Sequence, residues 1–347
     1  MSIDAKETLN RLLAGEDLAE IEAADLMRLL TDETLPQAMS AALLIALRVK
    51  GETADEVRGF ATAMRELARP VDLSVDSKAG DLKAVDIVGT GGDGSGSVNI
   101  STGTALLAAA CGLPVVKHGN RSVSSRSGSA DVLEMLGIPL PDGPDAAADC
   151  VADCGFTFLF APFFHPAMKA IAPVRGALGV RTVFNILGPL TNPAKPPFHV
   201  IGAFDLPTAR LMADTLVGMP IERAFVVHGE PGWDEPTPVG RFTLFDVQPG
   251  EVIEEHRDPL DYGLVRCTPE DLAGGDAEFN ARALESVFAG EDQGAHRDAL
   301  LLGAGLALEV SGKATDLNDG IAQARSALDK GAAQEVLVKL RVFATRT

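Results

Sequence analysis

The 347 residues, 46% hydrophobic and 23% charged, have the composition of a globular protein with one large or two modest domains. The net charge of −19 and the 5% aromatic content exclude nucleic acid and anionic membranes as expected partners, because long-range repulsion and few stacking surfaces oppose both. Any phosphate group that binds must therefore be held by local features.

The sequence contains neither a charged segment followed by an apolar one at its start nor an apolar run of about 18 residues. We therefore expect a cytoplasmic protein without a membrane-spanning segment. The cysteines lack the spacing of a zinc site, which predicts free thiols in a reducing compartment. They are Cys111, Cys150, Cys154 and Cys267.

The first 70 or so residues have the apolar periodicity of helices and no strand signal. Met39 to Val49 is almost entirely apolar, and Thr53-Ala-Asp-Glu56 is a capping box that opens a further helix. We predict a helical N-terminal domain over residues 1–75. Its apolar helix fits either a buried core position or a subunit interface.

From Ala84 onward, short apolar runs alternate with helical patterns, which predicts a mainly parallel sheet covered by helices on both faces. The predicted strands lie at residues 84–88, 113–117, 156–161, 198–204, 223–229 and 241–247. The predicted helices lie at residues 101–111, 130–137, 145–153, 165–178, 207–219, 278–289, 295–311 and 317–340. We predict a larger α/β domain over residues 76–347, with ligands bound beyond the carboxyl ends of its strands.

A glycine-rich segment, Gly89-Thr-Gly-Gly-Asp-Gly-Ser-Gly96, lies between the first predicted strand and a helix. Free backbone N–H groups at the positive end of a helix favour an anion, and glycines let phosphates approach. The segment also fits the G-x-G-x-x-G pattern of dinucleotide-binding proteins, but the second strand ends in Lys117-His118 where that fold needs an acidic residue. A P-loop would need lysine at Ser97. Asp93 suits a ribose hydroxyl or a metal ion, and a turn that binds nothing is the alternative.

The second predicted strand continues into a basic, serine-rich segment over residues 117–131. It holds three Lys or Arg side chains and five serines, which can supply charge and short hydrogen-bond donors to phosphate groups. Facing the glycine-rich segment, it is expected to form a phosphate clamp. A solvated, mobile loop is the alternative.

Eight motifs spread over the chain are distinctive: Gly89-Thr-Gly-Gly-Asp93, Asn99-Ile-Ser-Thr102, Lys117-His-Gly-Asn-Arg121, Ser127-Gly-Ser-Ala-Asp131, His165-Pro-Ala-Met-Lys169, Val174-Arg-Gly-Ala-Leu-Gly-Val-Arg-Thr182, Phe184-Asn-Ile-Leu-Gly-Pro-Leu-Thr-Asn-Pro193, and Val227-His-Gly229 followed by Asp234-Glu235. Together they resemble the anthranilate phosphoribosyltransferase family, and the resemblance extends over the whole chain. Ser97-Val98 stands where the family has Thr-Phe, and Ser122 where it has Ala. These departures affect only fine positioning, because Ser97 keeps the hydroxyl.

The resemblance implies a homodimer formed through the helical domain, which helices from about 163–185 would join, and an α/β domain of the nucleoside-phosphorylase type. It implies transfer of the 5-phosphoribosyl group from phosphoribosyl diphosphate (PRPP) to the amine of anthranilate, with Mg²⁺. The products would be N-(5-phosphoribosyl)anthranilate and diphosphate, in the second step of tryptophan synthesis from chorismate.

The resemblance also implies which residues form each part of the site. PRPP would contact Gly89, Gly92, Asp93, Ser97, Asn99, Ile100, Ser101, Thr102, Lys117, His118, Gly119, Asn120, Arg121, Ser122, Val123, Ser124, Ser125 and Ser129. Anthranilate would contact Gly89, Asn120 and Arg175. The metal would be held by Ser101, Asp234 and Glu235. We expect no residue to act as a covalent or acid–base catalyst, so catalysis would rest on positioning and electrostatics.

Residue chemistry agrees with these assignments. An arginine such as Arg175 can grip a carboxylate bidentately and orient the neighbouring amine, although an exposed structural arginine is the alternative. Asp234 and Glu235 have no basic neighbour in sequence, so a bridging cation would make them compatible with a diphosphate, whereas a solvated acidic turn would not need one. Because an aryl amine is neutral at pH 7, His118 is expected to shape the pocket. His165 and His228 are expected to serve packing or hydrogen bonding.

Two other functions fit part of the pattern. A pyrimidine nucleoside phosphorylase shares the general architecture and a phosphate-binding glycine loop, but it would not need an acidic pair for magnesium. A nonenzymatic relative could bind nucleic acid in the same groove, against which the charge of −19 and the few aromatic residues argue.

Overall fold

The N-terminal region is a bundle of four helices, as predicted from its periodicity. A computed structural model describes residues 3–73, 82–121, 126–138 and 140–345. The bundle helices are α1 (Ala5–Leu13), α2 (Glu20–Leu30), α3 (Gln37–Lys50) and α4 (Ala54–Leu67). The predicted capping box is confirmed: the side chain of Thr53 accepts a bond from the N–H of Glu56, whose carboxylate accepts one from Thr53 N.

The second region is built on a seven-stranded sheet. Its strands are β1 (Val85–Gly89), β2 (Val115–Gly119), β3 (Phe156–Phe160), β4 (Phe198–Gly202), β5 (Arg223–Gly229), β6 (Phe242–Gln248) and β7 (Glu251–Arg257), in the order β3-β2-β1-β4-β5-β6-β7. The first five strands in chain order run parallel, and β6 and β7 are antiparallel to their neighbours. The strand order reverses next to β1, so the loop that follows β1 leaves the sheet at the position where ligands bind in such folds.

All six predicted strands are present, but β7 was not predicted. Its sequence, Glu-Val-Ile-Glu-Glu-His-Arg, is mostly charged, and no residue of the strand is fully buried. An edge strand of this kind needs no apolar face, and its charges discourage pairing with another chain. The sequence feature that could have predicted β7 is therefore the turn that precedes the strand, and not the composition of the strand.

The helices of this region follow the predicted order. They are α5 (Ile100–Ala110), α6 (Ser129–Met135), α7 (Pro144–Cys154), α8 (Ala161–Phe164), α9 (Met168–Leu178), α10 (Phe184–Leu187), α11 (Leu206–Val217), α12 (Ala277–Phe288), α13 (Ala295–Val310), α14 (Leu317–Asp329) and α15 (Ala332–Ala344). The predicted single helix over 317–340 is wrong, because Gly331 has a φ of 74° and separates α14 from α15. The helix predicted to start at residue 165 begins instead at Met168, as α9, after the short helix α8.

Alternate residues of the central strands enter two different cores. Val200 of β4 and Val227 of β5 pack with α5 and α13, whereas Ile201 and Val226 pack with the four-helix bundle, α9 and α11. The bundle therefore shares its apolar core with one face of the sheet. In the described part of the chain, no helix is both long enough and apolar enough to span a membrane.

Candidate active site

The loop between β1 and α5 needs glycine for its backbone conformation. Gly91, Gly92, Gly94 and Gly96 have φ values of 70°, 74°, 75° and 61°. Residues other than glycine rarely adopt this left-handed backbone conformation. Four such residues within six positions therefore give the loop a backbone course that few other sequences could follow. We call residues 89–96 the glycine loop.

An acidic pair from the segment after β5 holds the glycine loop and the start of α5. Asp234 Oδ2 accepts a hydrogen bond of 2.6 Å from Gly91 N, and Glu235 Oε1 accepts one of 3.0 Å from Ser101 N. Asp234 N also donates to Asp93 Oδ2 at 3.3 Å. A Cβ atom on Gly89 would lie 2.4 Å from Asp234 Oδ2, so Gly89 is required by this close approach. The structure thus joins two predicted site segments that are about 140 residues apart.

Three carboxylates lie close together in the site, those of Asp93, Asp234 and Glu235. Burial and the nearby charge of Asp93 raise the pKa of Asp234, and burial and the charge of Asp234 raise the pKa of Glu235. Lys117, distant in sequence, partly offsets this effect for Glu235. Within the described residues, no group of three or more His, Cys, Asp or Glu side chains could hold a metal by itself. Oxygen donors in pairs nevertheless suit Mg²⁺, which takes its other ligands from water and substrate phosphates.

Lys117 lies beneath the glycine loop instead of protruding from a mobile loop. The residue is only 1% exposed, and its ammonium donates to Ile87 O and, at 3.2 Å, to Ser101 Oγ. Burial lowers the pKa of Lys117. The positive charge is therefore fixed under the first turn of α5, where it faces the acidic pair.

His118 and His165 are buried neighbours with a ring-centroid distance of 5.0 Å. Burial lowers the pKa of His118 to about 3 and that of His165 to about 4, so both rings are neutral at pH 7. His118 Nδ1 lies 3.1 Å from Gly188 O, and His228 Nδ1 lies 2.8 Å from Ala203 O. These contacts agree with the predicted packing and hydrogen-bonding roles.

Asp86 is a buried residue that was not singled out from the sequence. Its carboxylate accepts bonds from His118 N at 3.2 Å and from Asn192 Nδ2 at 2.8 Å, and burial raises its pKa to about 6. The side chain thereby joins β1, β2 and the segment after α10. An acidic residue between Val85 and Ile87, inside an apolar strand, was the available signal.

The segment after β2 is only partly described. A Cβ atom on Gly119 would lie 2.8 Å from the Phe158 ring, which explains that glycine. Asn120 Oδ1 accepts a bond from Arg121 N at 2.7 Å, and the guanidinium of Arg121 pairs with Asp131 at 2.8 Å and Glu134 at 2.6 Å. The PRPP contacts predicted for this guanidinium would compete with those carboxylates. Ser129 is the first residue of α6, whereas Ser122, Val123, Ser124 and Ser125 lie outside the described residues.

The remaining predicted PRPP residues lie around the N-terminus of α5. The side chains of Ile100 and Thr102 are buried, so a ligand could reach these residues only through their backbone. Ser97 is half-buried, with its hydroxyl 3.3 Å from Ser95 Oγ. Asn99 occupies the N-cap position of α5 and makes no side-chain cap bond. Glu235 binds the N–H group of the second helical residue in its place.

Arg175 lies in the last turn of α9. Its guanidinium carbon is 5.1 Å from the centre of the Phe184 ring, and burial lowers its pKa. Within the described ranges, Arg175 has no carboxylate partner in an ion pair. An arginine that packs on an aromatic ring and lacks a counter-charge is suited to an incoming carboxylate.

Arg181 connects the segment after α9 to the glycine loop, a contact that was not predicted although Arg181 lies within a quoted motif. Its guanidinium donates to Gly92 O and stacks on the Phe204 ring, with 3.8 Å from guanidinium carbon to ring centre. Arg48 of α3 donates to Arg181 O. The helical bundle is thereby linked, through one residue, to the glycine loop.

Comparisons with known proteins agree on one family. The model of the glycosyl transferase family a/b domain matches residues 81–334, and that of the helical bundle domain matches residues 6–68. The anthranilate phosphoribosyltransferase of Rubrobacter xylanophilus is 44% identical over 96% of this chain and 95% of its own length. That of Desulforudis audaxviator is 46% identical over 98% and 96%, respectively.

Solved structures give the same result. Anthranilate phosphoribosyltransferase from Thermus thermophilus superposes with a TM-score of 0.90 at 43% identity, covering 97% of this chain and 99% of that one. The Saccharomyces cerevisiae enzyme in complex with PRPP and Mg has a TM-score of 0.89 at 26% identity, covering 99% and 98%.

Proposed function

The chain belongs to the anthranilate phosphoribosyltransferase family, and from that premise we propose how its residues divide the work of the reaction. The enzyme transfers the 5-phosphoribosyl group from PRPP to the amine of anthranilate, in the second step of tryptophan synthesis from chorismate. The bond from ribose C1 to diphosphate breaks and a bond from C1 to nitrogen forms. The products are N-(5-phosphoribosyl)anthranilate and diphosphate, and one proton is released from the attacking amine.

We propose that the glycine loop and the first turn of α5 hold the diphosphate and ribose of PRPP. Support comes from the backbone amides and hydroxyls gathered beside the buried ammonium of Lys117, because fixed donors in a partly water-excluded site stabilise a leaving anion without reorganisation. The members with polar groups at this surface are Gly92, Asp93, Ser97, Asn99 and Ser101.

We propose that Asp234, Glu235 and Ser101 hold Mg²⁺ together with the diphosphate. The ion would offset the charge that develops on the departing diphosphate. The observation that carries the proposal is the position of the acidic pair: both carboxylates contact backbone N–H groups that flank the diphosphate site. Without a cation, buried carboxylates at this position would repel the substrate.

We propose that Arg175 binds the carboxylate of anthranilate, with Asn120 and Gly89 completing the acceptor site. The support is the absence of an ion-pair partner for Arg175 in the described structure, in a protein where most other described arginines form ion pairs. Bidentate binding would direct the amine at C1, which is a positioning contribution. No base is needed for the attack because an aryl amine is already neutral, and the neutral buried His118 fits this account.

Domain boundaries, oligomeric state and location are further proposals. We place the domain boundary near residue 75, and we assign the segment at 163–185 to the helical side because α9 packs in the same core as the bundle. A homodimer through the bundle is supported by exposed apolar side chains at Leu13, Ile21 and Val49, and sedimentation equilibrium would test it. The four cysteines form no disulfide in the described structure, which supports a reducing, cytoplasmic location.

The decisive experiment is a direct assay. Purified protein is incubated with PRPP, Mg²⁺ and anthranilate, and the loss of anthranilate fluorescence is followed. We expect turnover that requires all three components. A parallel reaction with a pyrimidine nucleoside and inorganic phosphate tests the phosphorylase alternative, and activity only in that reaction would overturn the proposal.

A further inference from the structure

Asn280, in the first turns of α12, reaches a predicted PRPP residue from 181 positions away. It is 2% exposed, and its Nδ2 donates to Asn99 Oδ1 at 2.8 Å. On its other side, Asn280 Oδ1 accepts a hydrogen bond of 2.7 Å from Gly275 N. No motif in the sequence marks this residue, and the proposed reaction does not use it.

The orientation of both amides follows from a group that can only donate. A backbone N–H has no acceptor function, so Gly275 N requires the oxygen of Asn280. The nitrogen of Asn280 then faces Asn99, which must present its own oxygen in return. As a result, Asn99 Nδ2 points away from Asn280 and donates one hydrogen bond to Ser127 O at 3.4 Å.

Asn99 does not make the hydrogen bond that an N-cap asparagine usually makes. An asparagine at an N-cap normally uses its oxygen to bind an N–H group of its own helix, which Asn99 does not do. Glu235 binds Ser101 N instead. Asn99 Nδ2 uses one N–H group towards Ser127 O and keeps a second N–H group for an anion at the N-terminus of α5, where its oxygen would be repulsive.

We propose that Asn280 is a positioning residue of the PRPP site, which turns the amide of Asn99 so that its nitrogen, and not its oxygen, offers an N–H group to the ligand. The inference rests on the proposed role of Asn99 towards PRPP. Asn280 itself does not touch the substrate. Its effect should therefore appear in PRPP affinity and not in the use of anthranilate.

The Asn280→Asp variant tests this with almost no change of shape. The carboxylate still accepts from Gly275 N, but its second oxygen now faces Asn99 Oδ1, so the Asn99 amide rotates and presents its oxygen to the ligand. We expect the KM for PRPP to rise about tenfold at pH 8 while the KM for anthranilate stays within about twofold.

Lowering the pH provides a readout that a general packing defect would not give. When it is protonated, the carboxyl group of the Asn280→Asp variant regains an O–H donor towards Asn99, and burial favours that neutral form. The ratio of variant to wild-type KM for PRPP should therefore fall towards one between pH 8 and pH 6. Asn280→Ser, which cannot gain a proton, should show a raised KM whose ratio to wild type does not change with pH.

A matched control and a distinguishing variant complete the experiment. Gln293→Glu makes the same amide-to-acid change in a surface side chain just after α12, where it loses a bond to Gly290 O, and it should leave both KM values unchanged. A wild-type KM for Asn280→Asp, or a raised KM with a pH-independent ratio, would overturn the inference. If the wild type is active but Asn99→Ala binds PRPP normally, the inference fails while the transferase activity stands.

Discussion

The proposed site has two halves, one for the diphosphate and one for the acceptor, and their characteristic side chains have opposite charges. In the described part of the diphosphate half, the adjacent carboxylates of Asp234 and Glu235 lie near the ammonium of Lys117, and Arg181 reaches the same loop at Gly92 O. In the acceptor half, Arg175 packs on the Phe184 ring and lacks a carboxylate partner within the described residues. On the proposed assignments, each half is completed by what it binds: a cation with a diphosphate in one, and a carboxylate in the other.

The largest expected effect comes from removing the negative charge of the diphosphate half. Asp234→Asn with Glu235→Gln keeps oxygens that can accept from Gly91 N and Ser101 N, but it removes both charges. We expect kcat/KM to fall about 100- to 1000-fold, with partial recovery at high magnesium, because metal charge stabilisation is worth several kcal/mol.

Titration calorimetry distinguishes this effect from a general loss of structure. The double variant should bind PRPP weakly and need more magnesium to do so than the wild type, while the acceptor half is unaltered. Wild-type dependence on magnesium would exclude the metal role of the pair.

The next largest effect should come from the acceptor half. Arg175→Ala removes the proposed partner of the anthranilate carboxylate, so the KM for anthranilate should rise about 30- to 100-fold while PRPP binding is retained. Arg210→Ala is the matched control, since Arg210 also lies near a phenylalanine ring, 6.0 Å from the centre of Phe245, but pairs with Asp214 on the surface. Equal losses for both substrates would show that Arg175 is structural.

A smaller effect on the diphosphate half alone is expected from Gly91→Val. Nothing lies within 4 Å of a Cβ atom at this position, so the protein should fold, but the φ of 70° is strained for a β-branched residue. The valine keeps this conformation at a cost of about 1–2 kcal/mol or else changes the path of the loop, and its methyl groups would hinder close approach of a ligand to the backbone. These effects should weaken PRPP binding at least about tenfold.

Gly94→Val is the control for strain by itself. Gly94 has a φ of 75° and equally open space, but only Gly91 donates to Asp234. Calorimetry with PRPP and magnesium should therefore show weaker binding for Gly91→Val than for Gly94→Val. Normal binding by a folded Gly91→Val protein would contradict the assignment of the phosphate loop.

The parts of the site that the sequence revealed are those whose cause is local. Four residues with positive φ need glycine, so the loop is visible as a run of glycines, and apolar runs mark the strands that flank it. Gly331, which separates α14 from α15, was a local signal for a helix end. The amphipathic pattern continues on both sides of it, so a single helix was predicted. Local signals thus predicted which segments matter.

Contacts between distant residues could not be predicted in this way. The bond between Asn280 and Asn99, and that between Arg181 and Gly92, depend on how helices pack on the sheet. The sequence showed Asp234 and Glu235 as an acidic pair without a basic neighbour, whereas the fold brings Lys117 close to them from β2. The resemblance suggested residues for the site, but their partners within the protein could be seen only in the structure.

The last prediction concerns groups that add no charge to either half. Burial lowers the pKa of His118, His165 and His199 to about 3, 4 and 3, well below the ordinary value of 6.5. Below pH 6.5 the unfolded chain binds protons that the folded protein cannot. The stability that these neutral rings contribute is therefore complete above pH 6.5 and is lost as the pH falls towards 4, by about 1.4 kcal/mol per pH unit for each histidine.

A comparison of two histidine variants measures this slope. Urea unfolding between pH 7.5 and pH 5 should show that His199→Gln loses stability less steeply than the wild type, because one of the three rings no longer takes up a proton on unfolding. His256, whose side chain is 69% exposed on β7, gives the control, and His256→Gln should follow the wild-type slope. Asp86, with a pKa raised to about 6, acts in the opposite sense in every variant and cancels from the comparison. Parallel slopes for His199→Gln and the wild type would mean that the pKa of His199 in the folded protein is close to its value in the unfolded chain, against the expectation from its burial.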